Sequence, residues 1–214
     1  MDESFLHRAT FLARRVFETV FGLRVAGARN IPKRGAVLLA CNHISEWDPP
    51  VLGCSFNRTV HFMAKNELFR SRLSSCFFFH LNAFPLDRRG IDRQAVRTCL
   101  YLLARGRAVA VFPEGTRSRD GRQLQPKPGI GLLAVRSGVP VLPAHISGTD
   151  RLLDSLLRRT RFRVTFGMMI LPSEVEECRR SEGYAGVARL VMKRIADLGD
   201  EPGPEARNAE RELN

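Results

Sequence analysis

No stretch of this chain approaches the ~20 consecutive apolar residues that a membrane-spanning helix needs, so a transmembrane reading fails. A secretory leader is missing too, because Arg8, Arg14, Arg15 and Glu18 interrupt the apolar segment it would require; a cytoplasmic protein is the expectation. Cysteine is sparse: five residues, Cys41, Cys54, Cys76, Cys99 and Cys178, an odd count with neither a C-x-x-C pair nor a zinc-finger spacing. They read as free, mostly buried thiols in a reducing compartment, and no metal site is expected. G-x-S-x-G, G-x-x-x-x-G-K-[ST], H-E-x-x-H and G-x-G-x-x-G are all absent, which leaves nucleophile-elbow, P-loop, zincin and dinucleotide chemistry without support. Acidic residues are in deficit, with 22 Asp and Glu against 34 Lys and Arg for a net charge of +12. The stretch 200–214 is itself acidic, so the remainder carries +15. Such a field attracts anionic partners: nucleic acid, an anionic membrane surface or phosphorylated substrates. Of these, nucleic acid is disfavoured, since 14 of the aromatic residues are Phe and lie in apolar runs instead of alternating with Lys and Arg as on a base-stacking platform.

What is present suits one folded domain: 214 residues, 44% hydrophobic and 26% charged, enough to bury a core without disulfides or metals. Residues 4–22 have helical periodicity, with Phe5, Leu6, Ala9, Leu12, Val16, Phe17 and Val20 forming an apolar side and Arg8, Arg14 and Arg15 on or near the other. Phe11 and Phe21 widen the apolar surface. Beyond it, strand-like runs at 36–41, 60–64, 83–86, 108–112, 139–144 and 163–170 alternate with helical stretches near 50–57, 67–80, 91–105, 129–137 and 150–158. This alternation predicts an α/β domain with a mostly parallel central sheet flanked by helices, in which sites lie beyond the carboxyl ends of the strands. A last helix over about 184–198 precedes a disordered tail, 200–214.

The residues that follow the strands carry the chemistry. After 36–41 come Asn42, His43 and, five residues past the histidine, Asp48 with Pro49 and Pro50 behind it. The prolines suit the first turn of a helix, making Asp48 an N-cap and placing His43 at the strand exit. On one ideal helix His43 and Asp48 would stand ~140° apart; across a strand–turn–helix junction they can pair, leaving the second imidazole nitrogen to take a proton from an alcohol. A capping Asp48 beside an incidental His43 is the alternative. After 108–112 come Pro113, Glu114, Gly115, Thr116, Arg117 and Ser118, where a glycine among small and hydroxyl residues and an adjacent guanidinium suit an anion. Asp87, Arg88 and Arg89 follow 83–86 and read as a basic turn; Val139–Pro143 has no ionisable group and reads as packing. Cys54 lies near His43 in sequence, but a cysteine in an apolar helical stretch belongs to a core.

In their order along the chain, these blocks resemble the glycerolipid acyltransferases, most closely the bacterial 1-acyl-sn-glycerol-3-phosphate acyltransferases. Asn42-His43 with Asp48 resembles the first motif of that family, Phe84-Pro85-Leu86-Asp87-Arg88 the second, Phe112 to Ser118 the third, and Val139-Pro140 with Pro143 the fourth. Lys65-Asn66-Glu67-Leu68 and Ser147-Gly148-Thr149 also resemble family segments. The resemblance implies an acyltransferase domain over 24–199 that carries a fatty acyl group from acyl-CoA or acyl-carrier protein, as co-substrate without a further cofactor, to the free hydroxyl of lysophosphatidic acid or another lysolipid. It implies His43 as general base, Asp48 as its orienting partner, Arg88 and Arg117 as phosphate ligands, and Glu114, Gly115 and Thr116 as substrate-binding residues. Residues 1–23 would then attach the protein peripherally to an anionic membrane surface on its cytoplasmic face.

Overall fold

The computed structural model describes residues 3–65, 82–86, 92–118 and 123–200, with side-chain detail beginning at Thr10. The expected helix over 67–80, Cys76, Arg88 and its neighbours, Arg119, Arg122 and the tail from 201 lie outside the described residues.

In chain order the elements are α1 (Glu3–Val20), β1 (Arg24–Ala26), β2 (Val37–Cys41), α2 (Asp48–Ser55), β3 (Val60–Lys65), β4 (Ala83–Leu86), α3 (Arg93–Ala104), β5 (Ala108–Val111), α4 (Gly129–Ser137), β6 (Val141–Ser147), α5 (Leu152–Leu156), β7 (Arg163–Phe166) and α6 (Pro172–Asp200). The strands form one sheet in the order β1-β7-β6-β2-β5-β3-β4. Every neighbouring pair is parallel except β6 with β7. The mostly parallel sheet expected from the alternation is therefore present, and β2 lies at its centre.

Burial on both faces explains why the central strands read as unbroken apolar runs. Along β2, Val37, Leu39 and Cys41 point into a layer that holds Phe17 of α1 and Val51 and Leu52 of α2. Leu38 and Ala40 point into the opposite layer, built from Ala95, Cys99 and Leu103 of α3, Leu133 of α4, and Val187, Val191 and Ile195 of α6. Each fully buried leucine or valine of this kind contributes about 1.5–3 kcal/mol relative to its exposed form. Asp92 starts α3 by accepting from the amides of Gln94 and Ala95 at 2.9 and 3.0 Å, a side-chain cap. Helices α4 and α6 meet backbone to backbone at Gly131, where a Cβ would lie 2.0 Å from the Tyr184 carbonyl oxygen.

Several boundaries depart from expectation. Strand β1 has three residues and, among the described residues, one neighbour, β7, so no local pattern announces it. Strand β6 runs on to Ser147, with His145 and Ser147 half-buried on either side of the buried Ile146, and β7 stops at Phe166. Helix α6 begins at Pro172, twelve residues earlier than its apolar periodicity, and is interrupted at Gly183, whose φ of 67° is left-handed. Helix α1 divides its apolar side. Phe17 is buried against Phe21, Trp47 and Phe162, while Phe11, Leu12, Val16 and Val20 face outward. Arg14 is half-buried and bonds Glu18 at 2.8 Å, so it flanks the packed side of the helix instead of opposing it.

Candidate active site

Because β5, β2 and β6 are parallel neighbours, the segments that follow them emerge at one edge of the sheet. There the first, third and Ser147–Thr149 blocks come together. Asn42 continues the β2–β6 pairing with its side chain: its Nδ2 donates to the Ile146 carbonyl at 2.9 Å and its Oδ1 accepts from the Ile146 amide at 2.7 Å. The chain then turns, and His43 is fixed from several directions. Its amide donates to Glu114 Oε1 at 3.1 Å, its carbonyl accepts from the Ser118 amide at 2.8 Å, and its ring stacks on Phe112 at 4.2 Å between centroids. Its Nδ1 lies 2.8 Å from Asp48 Oδ2. The sequence spacing thus does produce a His–Asp pair across the strand–turn–helix junction, with both side chains buried.

Asp48 does not cap α2 as expected. It is the first helical residue, Trp47 occupies the cap position, and no side-chain cap bond forms. The cause is local: with Asp48 as a cap, the next amides in reach would belong to Pro50, which has no N–H, and Val51, whose amide is taken by the Trp47 carbonyl at 3.0 Å. The carboxylate turns back instead. Oδ2 accepts from the amides of Ile44 and Ser45 at 2.7 and 2.8 Å as well as facing His43, and Oδ1 accepts from the Thr149 hydroxyl at 2.5 Å. Asp48 is fully buried, and these donors are what make a buried carboxylate tolerable.

The third block hangs on the same network. Glu114 is buried, with Oε1 on the His43 amide and Oε2 accepting from the Leu124 amide at 3.2 Å. Burial pushes its carboxyl above the usual glutamate range, opposed by the two amide bonds and by nearby His43; the charge of Asp48 adds to the upward push. Both oxygens therefore grip backbone, and Glu114 holds the His43 turn. Gly115 has φ of 67°, and a Cβ there would meet the Lys127 side chain at 2.8 Å. Lys127 thereby lies over the third block at Gly115; the next two residues of the block, Thr116 and Arg117, are exposed. Arg117 pairs with Glu46 at 2.9 Å, and both partners are largely solvent-exposed, so the pair is weak and exchangeable.

Two residues of this cluster carry no role in the sequence reading. Thr149 lies 101 positions from Asp48 in the chain and is paired with it only through the β2–β6 adjacency. Lys127 follows the third block at a distance no short motif spans; its signal was a basic residue just before α4. Cys54, the one alternative nucleophile, is half-buried and its thiol is pushed up to about 11, chiefly by burial and despite the lowering effect of Arg14. Its thiolate is scarce at neutral pH. His61 sits on β3, where burial and Arg107 lower its basicity, and it belongs to no part of the cluster.

Comparison with known proteins identifies the family and the fold. The family model described as Acyltransferase matches residues 22–147. Among curated relatives, the 1-acyl-sn-glycerol-3-phosphate acyltransferase of Bacillus subtilis (strain 168) is 27% identical over 178 residues, covering 83% of this chain and 88% of the relative. That of Streptococcus pneumoniae is 28% identical over 166 residues, covering 77% of this chain and 61% of the relative. Among solved structures, the 1-acyl-sn-glycerophosphate (LPA) acyltransferase PlsC from Thermotoga maritima superposes with a TM-score of 0.70 at 30% identity, over 92% of this chain and 81% of that one.

Proposed function

The chain belongs to the acyltransferase family, and on that premise we propose that it transfers a fatty acyl group from a thioester donor to the free hydroxyl of 1-acyl-sn-glycerol-3-phosphate, giving phosphatidic acid. The observation that carries the mechanism is the buried His43–Asp48 pair at the carboxyl end of β2. With Nδ1 committed to Asp48, Nε2 is the nitrogen that meets the acceptor. It takes the hydroxyl proton as the oxygen attacks the thioester carbonyl, and Asp48 stabilises the imidazolium that forms. The tetrahedral intermediate then collapses: the C–S bond breaks, and the departing sulfur receives the proton from His43 as free thiol. No acyl-enzyme is needed.

Arg117 and Lys127 flank the acceptor phosphate in this scheme, with Arg117 exchanging Glu46 for a bidentate phosphate contact. Arg88 joins them by its place in the second motif. Gly115 and Thr116 border the glycerol end, and Glu114 acts through the His43 amide. Coenzyme A and acyl-carrier protein both leave as thiols, and both are anionic enough to suit a +12 chain.

Attachment to an anionic membrane surface forms part of the proposal. No helix among the described residues is long and apolar enough to cross a bilayer. The outward face of α1 instead combines Phe11, Leu12, Val16 and Val20 with Arg15, a composition suited to the headgroup boundary. The test is acyl transfer from labelled acyl-CoA and acyl-carrier protein to a panel of acceptors. Phosphatidic acid from 1-acyl-sn-glycerol-3-phosphate is the expected product. Faster transfer to a lyso-ornithine lipid, a lysophospholipid with a head group or glycerol 3-phosphate would overturn the acceptor assignment.

A further inference from the structure

The short helix α5 turns an apolar face outward that the proposed chemistry does not use. Its inward residues are Leu152, packed on the core, and Ser155, buried and bonded to Thr160 Oγ1 at 2.8 Å. Leu153 and Leu156 on the helix and Leu157 at its C-cap are exposed at 73%, 54% and 62%. Three adjacent exposed leucines on so short an element form a patch that water does not favour. The surrounding charge is net positive. Between positions 150 and 163 stand Arg151, Arg158, Arg159, Arg161 and Arg163 against Asp150 and Asp154, and Arg24 lies in register with Arg163 on the β1 edge.

Position adds a third observation. Helix α5 directly follows Thr149, whose hydroxyl holds Asp48, so it sits at the same sheet edge as the site. Arg158 donates to the Thr19 carbonyl at 3.1 Å and joins α5 to the end of α1, beside the outward stripe of Leu12, Val16 and Val20. Trp47, 41% exposed, touches Phe17 and Phe21 at the foot of α1 and immediately precedes Asp48 in the chain.

We infer that α5 is a second lipid-facing element of the molecule. Its three leucines enter the apolar boundary of an anionic bilayer while the arginines around it lie among headgroup phosphates. One amphipathic helix leaves a domain free to roll about that helix; a second contact at its end fixes the tilt. The edge carrying His43 is thereby held against the surface in which the acceptor lies. An acidic carrier protein would satisfy the arginines, but the exposed leucines of α5 and the exposed Leu12, Val16 and Val20 of α1 lie on elements joined by the Arg158–Thr19 bond, and a lipid surface accounts for both apolar faces. The inference rests on the membrane reading of α1 given above.

The test uses full-length protein and vesicles of phosphatidylcholine with or without phosphatidylglycerol. The Leu153→Ser/Leu156→Ser/Leu157→Ser variant and, separately, Leu12→Ser/Val16→Ser are expected each to lower partitioning onto anionic vesicles about tenfold or more. Both should keep wild-type transfer to a short-chain, water-soluble acceptor, and the blue shift of the single tryptophan on vesicle addition should shrink. Leu153→Ser alone, at the most exposed position, gives a milder loss of the same sign if the triple variant misfolds. The inference is overturned if the α5 variants partition like wild type while the α1 variant does not, an outcome that leaves the membrane reading standing. It is equally overturned if they bind vesicles normally yet raise the KM for an acyl-carrier-protein donor alone, which would assign α5 to protein docking. Wild-type protein that ignores anionic vesicles removes the membrane reading and the inference together.

Discussion

The turn after β2 and the outer face of α1 are close neighbours built on opposite principles. Around His43 the polar groups are buried and matched: Asp48 takes three backbone or hydroxyl donors besides the imidazole, and Glu114 takes two amides. On the outer face of α1 the apolar groups are exposed, with Phe11 and Leu12 at 61% and 66%, and the Arg15 guanidinium lies over the Phe11 ring at 5.3 Å. A satisfied buried network fixes geometry at the cost of tolerance, whereas an exposed apolar face costs the fold little when changed and reserves its interactions for something outside the molecule.

That contrast can be broken most severely at His43. Replacing it with Ala should reduce acyl transfer by ~10²–10⁴-fold, and because the buried ring stacks on Phe112 and pairs with Asp48 it should also cost about 1–3 kcal/mol of stability. Near wild-type turnover would remove the proposed base. On the packed side of the α1 junction, Phe162→Ala should destabilise the protein by about 3–5 kcal/mol, because the fully buried ring stacks on Phe21 at 4.9 Å and leaves a cavity beneath α1. Chemical denaturation measures it, and a loss under 1 kcal/mol would mean that α1 is only loosely attached.

Thr149→Val sharpens the comparison within the network. It keeps the shape but strips Asp48 Oδ1 of its hydroxyl donor, so a loss of about 1–3 kcal/mol is expected together with reduced kcat, and Thr149→Ser should restore both. Unchanged kcat in the valine variant would separate Thr149 from the pair it touches. Glu114 supplies a pH test. Because burial raises its folded value above the unfolded one, its contribution to stability is full below the ordinary glutamate range and is lost as pH rises through the raised value. The unfolding midpoint of wild type relative to Glu114→Gln should therefore fall across that interval; a flat difference would contradict it. The smallest effect belongs to the outer face: Leu12→Ser should shift stability by no more than about 0.5 kcal/mol.

The central sheet was legible because β2, β5 and β6 are buried on both faces and spell it out as apolar runs. Spacing allowed a His43–Asp48 pair but left a capping Asp48 beside an incidental His43 open, and the resemblance supplied both the pair and its roles. Other features depend on distant partners. Strand β1 exists by pairing with β7, some 139 residues away, and none of its three residues is fully buried, so it leaves no apolar pattern. The first half of α6, Glu174 to Glu182, is dense in charge and was silent to apolar periodicity; the Glu176–Arg179 and Glu176–Arg180 pairs accompany it along one face. The inward turn of the Asp48 carboxylate follows from prolines that deny it a cap, a constraint visible at Pro50 but not drawn from it. Thr149 needed the sheet order before it could be placed beside Asp48.

The amide proton of Ile146 is retained by a side chain, Asn42, where a strand ladder would normally hold it. Its exchange with deuterium is therefore a clock on the His43 turn alone: it can tick only when Asn42 swings away, which loosens the residue before His43 without melting β2 or β6. Slower ticking in the presence of acceptor than of donor would identify the substrate that closes the site first.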